Sequence, residues 1–236
     1  MKKILIVFSI LFATFQVKGQ TSIFNDLLQK YVTKDGIVDY KSFKNDEAKL
    51  DRFIAYLEKT TPDNSWSANK QKAFWINAYN AYTIKIILEN YPLKSIMDIK
   101  QEGKTAWKIP FAKVGGETFT LDHIEHEILR KKLFDPKIHV GVNCASGSCP
   151  KLGNVAFTEE NVDAQLTKLM NAFINDASRN KIDKKKVQIS EIFNWFKDDF
   201  TKNGSVIDYL NKYSNSEIKS NAKISYLKYD WSLNGK

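Results

Sequence analysis

The chain has 236 residues, 36 basic and 27 acidic, for a formal charge of +9. The excess is nearly all lysine, since Arg52, Arg130 and Arg179 are the only arginines, whereas nucleic-acid readers lean on arginine forks and clustered basic faces. No nucleic-acid partner is expected, and the length fits one domain whose core needs no disulfide staples.

Lys2 and Lys3 precede an uncharged apolar run, Ile4 to Phe15, and Val17-Lys18-Gly19 offers modest side chains where a signal peptidase reads. This pattern predicts a secretory signal peptide over residues 1–19. The apolar run is shorter than the roughly 20 residues that span a bilayer. No transmembrane segment is therefore expected in the mature chain. Losing residues 1–19 removes three lysines and no acid, which lowers the charge from +9 to +6. The expected location is periplasmic or extracellular, with loose attraction to anionic polymers of the cell envelope.

Residues 20–236 read as a single domain, with a helical part over 20–92 and a core carrying the site over 93–236. Ile23 to Val32 is a predicted helix, and Gly36 to Tyr40 a turn into a short extended segment. Asp46 to Lys59 has Leu50, Phe53, Ile54 and Leu57 at helical spacing. Ser67 can cap a long helix that runs to about Asn90, ahead of Pro92. Two extended runs around Gly115-Gly116 predict a hairpin. Thr120 caps a helix from Leu121 to Lys131, and Ile138 to Val142 alternates like a strand. Thr158 caps a helix through Ile174, Val187 to Ile189 is a short strand, and Ser190 caps a helix with Phe193, Trp195 and Phe196. Ser205 to Tyr213 is the last helix and Ile224 to Tyr229 the last strand. Helices outnumber strands in irregular order, so the class is α+β, mainly helical with a small, mostly antiparallel sheet.

Sites tend to lie where local rules break. On the Leu121–Lys131 helix, Glu125 falls within the apolar arc of Leu121, Ile124, Ile128 and Leu129, and His126 lies at its border. A carboxylate there must be paired, hydrogen-bonded or protonated. Asn77 and Asn80 form a polar stripe on a helix that is otherwise apolar on almost every side. They either pin loop backbone or orient a catalytic imidazole.

Cys144 and Cys149 flank a tight segment after the predicted strand. Three readings stay open: a disulfide, natural in an oxidising compartment; a reactive thiol on a rim, with loop amides near Ala145 serving an oxyanion; and a metal site. His126, His139, Cys144 and Cys149 would supply four ligands, but their spacings match no common zinc pattern. No metal or other cofactor is expected. An extended strand would hold His139 too far from Cys144, which leaves His126 as the base. His123 should be exposed.

Several motifs in order carry a family resemblance: Phe74 to Ala81, Leu121 to His126, Ile138-His139 with Asn143 to Ser146 and Cys149-Pro150, and Tyr229 to Asn234. From roughly Ala48 to Asn234 the chain resembles the family known as domain of unknown function 547. The resemblance implies no settled activity. It marks Glu125, His126, His139, Asn143 and Cys144 as the family's pattern residues, while His123 stands where the family more often has an acid.

These readings lead to an exported thiol-dependent hydrolase or acyl-transferase acting on an amide, peptide or ester of a cell-envelope polymer. Cys144 would be the nucleophile and His126 the base, with Glu125 or Asn77 orienting the imidazole. Asn80, Asn143, His139 and Ser146 would line the binding site. The rival is a non-catalytic binding or scaffold domain held by a Cys144–Cys149 disulfide, and a redox or metal-binding role comes third.

Overall fold

The longest helix organises the molecule. The computed structural model describes residues 19–235; apart from Gly19, the expected signal peptide lies outside them. Residues 19–31 form α1, followed by α2 (Tyr40–Phe43), α3 (Glu47–Lys59) and α4 (Ala68–Asn90). Ser67 caps α4 by accepting from the Lys70 amide, which ties up one of the donors that a helix start leaves open. From Lys72 to Ile84 every α4 side chain is buried. This is how a helix apolar on nearly all sides must sit.

Leu50, Phe53, Ile54 and Leu57 of α3 face α4, and Phe24 of α1 stacks on Phe53 at 4.7 Å. Short strands β1 (Lys100–Gln101) and β2 (Lys104–Thr105) pair antiparallel. The hairpin of β3 (Ala112–Val114) and β4 (Glu117–Phe119) turns through Gly115 and Gly116, both at positive φ, which glycine adopts without a Cβ clash.

Two expectations need correcting. The stretch after Thr120 is π-helical over His123–Lys132; the Leu133 amide donates to the Ile128 carbonyl five residues back. Thr120 does cap it, through the His123 amide. The predicted strand over Ile138–Val142 is instead a 3₁₀ turn, Pro136–Val140. Asp135 accepts from the Lys137 amide and Pro136 stands at the first turn, where proline suits a helix start. Asp135 also pairs with the buried Lys72 of α4 at 3.0 Å, which fixes the turn to the central helix.

α5 (Val162–Ile174) links two apolar cores. Val162 and Leu166 belong to the large one around α4. Met170, Phe173 and Ile174 belong to a smaller one with β6 (Lys186–Ile189), α6 (Ile192–Trp195), α7 (Lys197–Phe200) and α8 (Val206–Asn211). β6 pairs antiparallel with β5 (Lys181–Ile182) and parallel with β7 (Lys223–Tyr226). The chain is thus a single α+β domain, with three small sheets in place of one and strand pairing that is mostly antiparallel. Among the described residues no helix is long and apolar enough to cross a membrane.

Candidate active site

The site lies where the two cores meet. A cavity of about 190 Å³ is lined by Tyr79 and Val142 from the large core, Ile192 and Phe196 from the side of the small one, and Cys144, Cys149, Glu125, His126 and His139.

The loop that delivers Cys144 is held from both sides. Asn80 of α4 donates to the Gly141 carbonyl at 2.8 Å and accepts from the Asn143 amide at 2.9 Å. Asn143 in turn donates to the Pro150 carbonyl and accepts from the Ala145 amide and from Asn234. From the other side, the segment 230–234 runs against the loop: the Gly147 and Ser148 amides donate to Ser232 and Asp230, and the Asn234 amide to Ala145. Ala145 stands at φ 56°, a left-handed conformation that costs a non-glycine residue about 1–3 kcal/mol. The bonds on either side of Ala145 hold it there, and the sharp bend puts the half-buried Cys144 on the cavity wall.

Cys144 is surrounded by donors. Ser146 Oγ lies 3.1 Å and Tyr229 OH 3.5 Å from its sulfur. The Cys149 thiol and the Ser146 amide also bond to it. The Cys149 bond is the strongest influence; together with the others it outweighs burial and lowers the Cys144 thiol to about 6. Burial and the neighbouring sulfur push Cys149 well up, so it stays protonated and donates. Both cysteines are free thiols, and asparagine side chains, not a disulfide, hold the loop.

The loop amides near Ala145 do not form the expected oxyanion site. Cys144 N–H donates to Cys149 Sγ, Ala145 N–H to Asn143, and Ser146 N–H to Cys144. Each points inward and is already used.

Glu125 is buried at 8 % exposure and hydrogen-bonded to Tyr79. Burial pushes its carboxyl up to about 6, with His126 opposing and Cys144 reinforcing the rise. His126 is oriented by neither Glu125 nor Asn77. Arg130 Nη1 lies 3.1 Å from His126 Nδ1. A guanidinium only donates, so the tautomer that satisfies this contact carries its proton on Nε2. Arg130 Nε also bonds to Asp199 at 2.6 Å, and His139 Nε2 meets the same carboxylate oxygen at 2.8 Å. Burial alone would raise the Asp199 carboxyl, but His139 and Arg130 outweigh it and hold it well below the usual range. His139 stacks on Phe196 at 4.1 Å, and burial lowers its tendency to take a proton.

Residues 64–174 match the model of the family described as "Protein of unknown function, DUF547". Over this stretch the chain is similar to that family. No curated protein and no solved structure matches it. The DUF547 match is shorter than the span of the sequence resemblance. It takes in Glu125, His126, His139, Asn143, Cys144 and Cys149, and stops before Asp199 and Tyr229.

Of the residues marked in the sequence, Cys144, Glu125, His126 and His139 share the cavity. The 3₁₀ turn brings His139 there, which an extended strand would not. Asn80, Asn143 and Ser146 support the loop. Asn77 does not take part: its amide is spent on the backbone of Phe157, at 2.7 and 3.0 Å. His123 is exposed. Sequence reasoning missed Arg130 and Asp199, while Tyr79 and Tyr229 were signalled only by their places in the first and the closing motif. Among the described residues no three His, Cys, Asp or Glu side chains are gathered as a metal ion requires.

Proposed function

We propose that this protein is an exported thiol-dependent acyl hydrolase or acyl-transferase, acting on an amide, peptide or ester of the cell envelope. One observation carries the reading. The thiol most readily ionised, Cys144 at about 6, opens on the same cavity as a carboxyl group poised at about 6, Glu125. A nucleophile and a proton carrier with values near the working pH are what acyl transfer needs.

In this mechanism the Cys144 thiolate attacks the acyl carbon. His126 offers its Nε2–H to the oxygen that gains charge, in the role first expected of the loop amides. As the carbon–heteroatom bond breaks, protonated Glu125 gives its proton to the leaving group, and a thioester remains. Water or an acceptor then attacks the thioester, Glu125 takes back a proton, and the thiolate leaves. Arg130 and Asp199 act on His126 by fixing its tautomer, and Tyr79 holds Glu125 in place.

The test is mass spectrometry of the protein mixed with p-nitrophenyl acetate at pH 6. An acetyl group on Cys144, lost with time as nitrophenol release turns over, is the expected result. If Cys144→Ala releases nitrophenol as fast as the unaltered protein, the mechanism fails.

A further inference from the structure

The cavity and the chain differ in the sign of their charge. The chain has nine more basic than acidic residues. Yet no lysine or arginine is among the described residues that line the cavity, while Asp122 and Glu125 both are. Arg130 stands behind the wall, with its guanidinium engaged by Asp199 and His126.

Much of the remaining wall is aromatic. Trp231 stacks on Trp195 at 5.9 Å and packs on Trp107 at 5.8 Å, while Tyr229 touches Trp195 and Trp231 at 4.7 and 4.6 Å. Trp195 remains 47 % exposed, an uncommon state for so large an apolar side chain. Aromatic faces carry negative potential, strongest for tryptophan, and attract a cation within about 6 Å of the ring. Acidic side chains and indole faces around one small space are a match for positive charge.

We propose that this cavity seats an ammonium group, primary or quaternary, which the substrate carries beside the bond that Cys144 attacks; the placement beside that bond rests on the acyl-transfer reading. An anionic group would meet Asp122 and Glu125 with no lysine or arginine in the wall to pair it. A neutral group would draw nothing from the Asp122 carboxylate or the indole faces. The volume has room for roughly six water-sized groups, enough for a trimethylammonium head and the first atoms of its chain.

The experiment compares alkylation of Cys144 in the whole protein by four reagents at low ionic strength: neutral iodoacetamide, anionic iodoacetate, 2-bromoethylammonium and (2-bromoethyl)trimethylammonium. Each rate, read by peptide mass mapping, is divided by the rate for a small model thiol. The cationic reagents are expected to gain roughly three- to thirtyfold over iodoacetamide on this scale, and iodoacetate to lose. The order of the two cations tells whether a primary or a quaternary amine is preferred. Asp122→Asn and Trp195→Ala should each bring the ratios towards those of the model thiol.

Ratios equal to the model thiol's, or a preference for iodoacetate, would overturn the proposal. So would a tetramethylammonium chloride titration with no saturable change in tryptophan fluorescence beyond a sodium chloride control. A protein that selects the cations but forms no thioester would keep the ammonium site and lose the hydrolase.

Discussion

The sulfur of Cys149 lies 3.2 Å from the backbone nitrogen of Cys144, accepting from the amide of the residue whose thiol it also supports. The buried cysteine thus holds both the backbone and the side chain of the half-buried one. Removing it should move the reactive thiol back towards ordinary behaviour. In Cys149→Ala the midpoint of the pH dependence of iodoacetamide labelling at Cys144 is expected to rise from about 6 by roughly 1–2 units, the worth of a hydrogen bond to a charged group. Cys149→Ser keeps a donor and should recover part of the shift. An unmoved midpoint in Cys149→Ala would refute this role.

Glu125 links activity to a loss of stability. Its folded value of about 6 stands above the ordinary 4.5, so the folded protein holds this proton more tightly than the unfolded chain does. The contribution to stability is therefore complete below pH 4.5, declines as pH rises to 6, and is absent above. Glu125→Gln should be more stable than the unaltered protein by about 2 kcal/mol at pH 7.5, with the gap closing towards pH 4. Urea midpoints across that range measure it. The pH profile of acyl transfer should be bell-shaped near pH 6, where thiolate and carboxylic acid coexist. In Glu125→Gln the alkaline limb of that bell disappears with most of the rate. A stability gap independent of pH would contradict the assignment.

Asn77 and Asn80 separate scaffold from site. Each bonds to two backbone groups, Asn77 to Phe157 and Asn80 to Gly141 and Asn143. Alanine at either position leaves buried backbone groups unpaired, at about 1–3 kcal/mol for each group. Both variants should lose similar stability in urea unfolding. Only Asn80→Ala should also slow the labelling of Cys144 at pH 6, because only its partners belong to the loop that bends at Ala145. Equal effects of the two variants on labelling would show that the loop does not depend on Asn80.

Local signals foretold much of this arrangement. The Ser67 cap, the Gly115-Gly116 hairpin and the misplaced charge of Glu125 are each decided by neighbours within a few residues. The strand expected over Ile138–Val142 failed because residues 138–142 are buried on all sides. Alternation then carries no information, and Asp135 with Pro136 decides the backbone. Arg130 and Asp199 were illegible for another reason. They are 69 residues apart, each looks like an ordinary charge on a helix surface, and only the packing of the two cores shows that one orients His126 and the other holds His139.

The segment that braces the Cys144 loop is also among the last of the described residues to be made. Tyr229, Asp230, Ser232 and Asn234 contact the loop or its thiol. A ribosome that has released only the first two hundred residues has therefore produced a cysteine without its full set of donors. The thiol gains its complete setting only once residue 234 has emerged and folded back. An unfinished or clipped polypeptide would thus hold a blunter sulfur, which delays reactivity until synthesis has passed that point.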